Sequence, residues 1–236
     1  SSRRFRAGLF EWEKAAIEHH FPKPPARILI GAAGGGREAF ALAEKGYQVT
    51  AFEPCFRLVQ EMAAKAETCG GQIQVLVGSC QDLWRREERA NSESIRIPQL
   101  PVAEQLPKFH GIVLGWGSLS HIPARKDREK LLLTCSRMLE TEGALLASYL
   151  GSFNPKNNSN RPTSIRGRIR HAIRTYGKGE SNDHFYSNLG YVHRLDREEI
   201  AATASKASLS IVHSCHDPTV YPYCVMKKHL PVEHPA

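Results

Sequence analysis

Residues 27–54, RILIGAAGGGREAFALAEKGYQVTAFEP, set a strand, a glycine-rich turn, a helix and a second strand ending in an acid in unbroken succession. Ile28, Leu29 and Ile30 form a short apolar run of the kind demanded of a strand buried on both faces. Gly31, Gly34, Gly35 and Gly36 then clear side chains from a turn, so a ligand can approach the backbone where amide groups gather at a helix start. Residues 38–45 read as that helix, Gly46 closes it with a positive φ, and 47–52 form the next strand. Glu53 therefore stands at a strand's carboxyl end, the edge of the ligand crevice in an open α/β sheet, where an acid accepts hydrogen bonds from both ribose hydroxyls. The stretch is half of a nucleotide-binding α/β fold.

Two cofactor classes use this arrangement. Gly34-Gly35-Gly36-Arg37-Glu38-Ala39 satisfies the dinucleotide pattern G-x-G-x-x-G/A, with Glu53 near the expected offset, which keeps an NAD-type oxidoreductase in view. The same segment resembles the first motif of class I S-adenosylmethionine-dependent methyltransferases, an apolar strand leading into (D/E)-x-G-x-G-x-G. Gly34 and Gly36 match, Ala32 replaces the first glycine, and Ile30 replaces the acid. In that family the acid helps hold the methionine end of the cofactor, so the resemblance implies that backbone, water or another side chain makes the contact here. Further along, Gly78-Ser79-Cys80-Gln81-Asp82-Leu83 resembles the family's G-D-x-x-D-L, with Asp82 at the second acid and Ser79 at the first. The run 109–117, FHGIVLGWG, resembles its fourth strand and exit, with His110 in place of an Asp. Met138-Leu139-Glu140-Thr141-Glu142-Gly143-Ala144-Leu145-Leu146 resembles L-x-P-G-G-x-L-L. Order and spacing of these motifs favour a methyltransferase over a generic nucleotide fold.

The resemblance implies a Rossmann-like, doubly wound α/β fold: a seven-stranded, mostly parallel sheet with an antiparallel C-terminal strand and an inserted helical cap. It implies S-adenosylmethionine as cofactor and S-adenosylhomocysteine as product. The implied cofactor contacts are Gly31, Ala32, Ala33, Gly34, Gly36, Glu53, Pro54, Cys80, Gln81, Asp82, Gly115 and Trp116.

With 236 residues and 41% hydrophobic content the chain can bury one full-sized core, and a single domain over 1–236 is expected. That leaves no room for the second domain of a two-domain dehydrogenase. A short-chain dehydrogenase needs Tyr-x-x-x-Lys on a helix, and the one such spacing, Tyr223 with Lys227, lies in a β-rich stretch. No apolar run approaches the ~20 residues needed to span a bilayer, and no signal-peptide pattern follows Ser1. A soluble protein without membrane association is expected, with further residues before Ser1 in the natural chain. Cys55, Cys69, Cys80, Cys135, Cys215 and Cys224 are scattered with no C-x-x-C pair, which predicts neither a metal cluster nor disulfides and suits a reducing cytoplasm.

Outside the motifs, residues 8–21 read as an amphipathic helix ended by Pro22, Pro24 and Pro25, so 1–26 packs on the sheet or supplies a lid through Phe10 or Trp12. Helices are expected at 56–67, 84–89, 125–140 and 197–206, the last capped by Asp196 with Glu199. Strands are expected at 72–77, 144–149, 186–194, 208–214 and 220–226. The formal charge of +8 is concentrated in 156–178, where Lys156, Arg161, Arg166, Arg168, Arg170, Arg174 and Lys178 meet no acid. Arg166, Arg170 and Arg174 share one helical face, making 151–190 a basic cap that is either solvated surface or an anion clamp.

Methyl transfer from a sulfonium is an in-line displacement, so positioning supplies most of the catalysis and a base is needed only if the acceptor must lose a proton. His121, after the fourth strand, and His193, on the cap's return strand, are the candidate bases, since imidazole changes charge near neutral pH. Trp116, Arg166, Arg170 and Tyr191 are candidate acceptor contacts. The leading reading is methyl transfer to oxygen or nitrogen of a polar small molecule, either neutral or anionic. A nucleic-acid methyltransferase is the alternative drawn by the basic segment, but only Tyr176 interleaves its arginines, and no Asn-Pro-Pro-Tyr-type motif follows the fourth strand. The sequence leaves oligomeric state open.

Overall fold

The computed structural model describes residues 8–85, 97–151, 182–186, 190–216 and 222–229. In chain order these form α1 (Glu11–His20), β1 (Arg27–Gly31), α2 (Arg37–Glu44), β2 (Gln48–Glu53), α3 (Phe56–Ala66), β3 (Ile73–Val77), β4 (Phe109–Leu114), α4 (Arg125–Met138), β5 (Leu139–Ser148), β6 (Asp183–Tyr186), β7 (Gly190–His193), α5 (Arg197–Lys206), β8 (Leu209–Cys215) and β9 (Tyr223–Lys228). The seven-stranded sheet runs β3-β2-β1-β4-β5-β9-β8. Strands β1 to β5 pair in parallel, and β9 enters antiparallel between β5 and β8. The doubly wound, mostly parallel sheet expected from the glycine-rich stretch is therefore present. The antiparallel β9 sets it apart from the dinucleotide-binding order 3-2-1-4-5-6.

Alternation along each central strand divides the core in two. Ile28 and Ile30 face the layer that contains α1, α2 and α3, where they meet Ile17, Phe40, Val59 and Met62. Leu29 faces the other way, toward Leu131, Leu132 and Cys135 of α4 and Ile200 and Ala204 of α5. Each of Ile28, Leu29 and Ile30 is at most 1% exposed, a burial worth about 1.5–3 kcal/mol per side chain. Gly111 allows the tightest approach between layers: a Cβ there would lie 2.4 Å from the Phe21 ring that follows α1. His110, next to it, accepts a hydrogen bond from Arg27 N at 3.1 Å, an edge contact between β4 and β1 away from the crevice.

Several boundaries differ from expectation. α4 stops at Met138, and β5 begins at Leu139, five residues before the expected start. The register shift between Phe109 and Gly111 absorbs the intervening polar residues, and a Cβ on Gly143 would sit tightly, 3.0 Å from Glu140 O. The single strand expected over 186–194 is a separate hairpin, β6 paired antiparallel to β7. Trp84 closes a 3-10 turn over Cys80–Leu83, and the rest of the helix expected at 84–89 lies outside the described residues. So does the helical part of the expected cap, including Arg166 and Arg170. Among the described residues no helix is long and apolar enough to cross a membrane, and all six cysteines are free thiols.

Candidate active site

In an open α/β sheet the ligand crevice lies outside the carboxyl ends of the parallel strands, here the neighbouring β1, β2 and β4 with the turn after β1 beside them. Ala33 N donates to Phe52 O at 3.0 Å and Gly36 N to Ala33 O at 2.9 Å, which folds the turn back on itself before α2. Gly34 and Gly36 have φ of 56° and 82°, and Ala32 adopts the same left-handed region at 52°. An alanine there is strained, since its Cβ crowds the following carbonyl. Among the described residues, Gly34 and Gly35 have nothing within 4 Å of a Cβ position, so their backbone faces open space there.

Glu53 holds this turn in place. It is 7% exposed; its Oε2 accepts from Gly34 N at 3.0 Å and its Oε1 from Cys55 N at 2.9 Å. One acid thus fixes both the glycine turn and the start of α3, and each carboxylate oxygen retains a second lone pair. Pro54 and Cys55 beside it are exposed. After β3, Asp82 Oδ2 accepts from Ser79 N at 2.6 Å and Ser79 Oγ at 2.9 Å, a capping arrangement over the Cys80–Leu83 turn. Gln81 is half-buried. Cys80 points into the core, and burial, reinforced by the charges of Glu53 and Asp82, pushes its thiol up to about 12. Only its backbone is left for ligand contact.

The exit from β4 is pinned on three sides. Gly117 N donates to Ser148 Oγ at 2.8 Å and Leu150 N to Ser120 Oγ at 2.8 Å, tying the loop to β5. Arg128, fully buried, donates to Ile122 O at 3.0 Å and Pro123 O at 2.8 Å. The Tyr191 hydroxyl lies 3.0 Å from Pro123 O. Trp116 sits in this loop with φ of 52°, a conformation an aromatic residue holds only where its surroundings dictate it. Its ring meets Phe10 at 5.6 Å and lies 5.5 Å from the Arg37 guanidinium.

The two candidate histidines have opposite fates. His121 is exposed at the end of a 3-10 turn, and its Nδ1 lies 3.0 Å from Tyr191 O. A carbonyl only accepts, so Nδ1 carries the proton, and the neutral ring keeps its lone pair on Nε2. His193 is 1% exposed, with Nδ1 2.7 Å from Asp183 Oδ1 and Nε2 2.9 Å from Glu199 Oε2. Burial alone would lower its pKa, but hydrogen bonds to Glu199 and Asp183 outweigh it and hold the ring above the ordinary value. With a carboxylate at each nitrogen it is an imidazolium that ties β6 and β7 to α5. Both ring nitrogens of His193 are thus engaged by carboxylates. Tyr191 shares that cluster, its hydroxyl lying 2.5 Å from Asp183 Oδ1, so it braces the hairpin and presents its carbonyl to His121.

One group the motifs did not reveal lies between α1, α2 and the β4 exit. Arg37 Nη1 and Nη2 donate to Glu13 Oε2 and Oε1 at 2.7 and 2.6 Å, and Nη2 also donates to Glu38 Oε1 at 2.6 Å. All three side chains are at least nine-tenths buried. The Arg37 guanidinium stacks 4.2 Å from the Phe10 ring, so the start of α1 is latched over the glycine turn. Trp12 turns elsewhere and stacks on Tyr223 at 4.6 Å. Arg37-Glu38 directly follows the glycine turn, and that adjacency was the available signal; Glu13 carried none. Among the described residues no group of three or more His, Cys, Asp or Glu is placed to hold a metal ion.

No protein-family model matches the chain, and no curated protein matches it in sequence. Solved structures do match in fold. A SAM-dependent methyltransferase from Methanosarcina mazei is 17% identical with a TM-score of 0.62, over 95% of this chain and 100% of that one. The 1,6-didemethyltoxoflavin-N1-methyltransferase of Burkholderia thailandensis, solved with 1,6-didemethyltoxoflavin and S-adenosylhomocysteine, is 19% identical with a TM-score of 0.58, over 92% and 77%. An amino pentose methyltransferase of calicheamicin biosynthesis from Micromonospora echinaspora, solved with SAM, is 12% identical with a TM-score of 0.59, over 95% and 94%. At such identities the likeness is one of fold, and the fold is that of the class I methyltransferases.

Proposed function

We propose that this chain is an S-adenosylmethionine-dependent methyltransferase acting on an oxygen or nitrogen of a polar small molecule. The observation that carries the reading is Glu53: an acid at the end of β2, clamped to Gly34 N and Cys55 N beside the open backbone of Gly34 and Gly35. Such a carboxylate, already oriented and desolvated, suits paired ribose hydroxyls. The antiparallel β9 and the small-molecule methyltransferases that share the fold favour this cofactor over NAD. The residues fit the group: among the described residues the turn is open at Gly34 and Gly35, and Arg37 Nε is a buried donor with no partner.

When bound, the cofactor supplies a methyl group on a sulfonium. The chain's part is to bind, orient and deprotonate. Gly31, Ala32, Ala33, Gly34 and Gly36 offer backbone, Glu53 and Pro54 border the ribose, and Cys80, Gln81 and Asp82 border the base. Gly115 and Trp116 close the methionine end. His121 accepts the acceptor's proton at Nε2 while Tyr191 O fixes its tautomer. Trp116 walls the acceptor, and Phe10 at the head of α1 excludes water. The arginines of 156–178 lie outside the described residues, and a role in holding an anionic acceptor group is part of this proposal.

Parallel calorimetric titration with S-adenosylmethionine, S-adenosylhomocysteine and NAD tests the reading. Binding of the first two, weakened at least about tenfold by Glu53→Ala, is the expected result. Binding of NAD alone contradicts it. His121→Ala is expected to lower methyl transfer while leaving S-adenosylhomocysteine affinity in place.

A further inference from the structure

The Glu38 carboxyl lies where the turn after β1 meets the exit of β4. It is 4% exposed, and a Cβ on Gly115 would come within 2.7 Å of its Oε1, so glycine at that strand end leaves the carboxyl in its present place. Among the described residues the charged groups facing it are Arg37 from its own helix and Glu13 from α1, while β4 presents the backbone of Gly115. Among the described residues one guanidinium meets two carboxylates, so the cluster they form carries, fully ionised, one uncompensated negative charge away from water. In the same cluster Arg37, 8% exposed, keeps a buried Nε with no acceptor among the described residues. An excess carboxylate and an unfilled donor, side by side and desolvated, are each costly alone. An α-amino-acid zwitterion supplies the complement of both, an ammonium for the carboxylate and a carboxylate for the guanidinium.

We propose that Glu38 is the counter-ion of the ammonium group at the amino-acid end of the cofactor, with Arg37 Nε receiving the adjoining carboxylate. The inference rests on the methyltransferase reading and names the side chain that takes the contact Ile30 cannot make, Ile30 being 1% exposed in the apolar layer. Proton linkage supports it. Burial pushes the Glu38 carboxyl up to about 7, Arg37 opposing and Glu13 adding to the rise. An ammonium arriving beside it favours the ionised form, so binding weakens as pH falls below about 7.

Calorimetry with S-adenosylhomocysteine and its deaminated analogue, which keeps the carboxylate and lacks the amine, tests the assignment on wild type and Glu38→Gln. The amide preserves shape and a bond to Arg37. Wild type is expected to prefer S-adenosylhomocysteine by about ten- to a hundredfold, the worth of one hydrogen bond to a charged group, and Glu38→Gln to abolish that preference with little change for the analogue. If Glu38→Gln retains the preference, or weakens both ligands equally, the assignment is overturned. If wild type binds neither ligand, the cofactor reading itself fails. Should the variant not fold, wild type titrated at pH 6 and pH 8 gives the same information: S-adenosylhomocysteine affinity alone rises with pH if Glu38 is the counter-ion, and the two ligands respond alike if it is not.

Discussion

Gly36 and Gly35 are neighbours in sequence, yet the structure assigns them separable tasks, and alanine at each position distinguishes fold from binding. At Gly36, φ of 82° and contacts of 2.8 Å from a Cβ to both Met62 Sδ and Phe40 Cε2 leave no room. The left-handed backbone costs an L-residue about 1–2 kcal/mol, and overpacking a filled site adds about 1–3 kcal/mol. Stiffening of the unfolded chain returns about 0.4–1 kcal/mol, so Gly36→Ala is expected to destabilise by about 2–4 kcal/mol. For a chain of this length that is roughly 5–15 °C in Tm. Gly35 has ordinary backbone and nothing within 4 Å, so Gly35→Ala should stay within about 0.5 kcal/mol of wild type while its methyl group intrudes where the ligand approaches. Differential scanning calorimetry and S-adenosylhomocysteine titration on both variants supply the comparison. A Gly35→Ala protein that binds normally, or a Gly36→Ala protein as stable as wild type, would refute the reasoning.

Ala32→Gly should leave stability unchanged or raise it by up to about 1 kcal/mol, because relief of the left-handed alanine at φ 52° exceeds glycine's entropic cost; urea denaturation checks the sign. His193 has a folded pKa above its unfolded value, so its contribution is complete below the unfolded value and is lost as pH rises through the folded one. The stability gap between wild type and His193→Gln should therefore narrow from pH 6 toward alkaline pH, read as urea midpoints across that range. Arg128→Leu removes the donor shared by Ile122 O, Pro123 O and Glu199 and should cost about 3–5 kcal/mol, as breaking a buried pair does. A milder loss by chemical denaturation would mean that Ser120, Ser148 and Tyr191 suffice to hold the β4 exit.

The parts of the fold that could be read in the chain are those written in local pattern. Ile28 to Ile30, the glycine turn and Glu53 follow from apolar runs, absent side chains and the position of an acid, all within 28 residues of continuous sequence. Contacts that span the chain left no such pattern. Arg37 reaches Glu13 across 24 positions, and Arg128 reaches Glu199 across 71. His193 illustrates the limit well: its sequence neighbours Val192 and Arg194 say nothing of Asp183 across the hairpin or Glu199 a helical turn into α5, and those two carboxylates decide its charge. β6, Asp-His-Phe-Tyr, is short and largely polar, so no alternation announced it. Cys80 and Asp82 were legible as a loop beside the crevice, but which atoms face the core and which cap the turn depends on packing against Leu100 and its neighbours.

The most direct test of the cofactor site is a crystal structure of the protein with S-adenosylhomocysteine. The account predicts the ribose hydroxyls at Glu53, the purine beside Asp82 and the amino-acid end between the turn after β1 and Gly115. A nucleoside bound anywhere other than the crevice at the carboxyl ends of β1, β2 and β4 would contradict it.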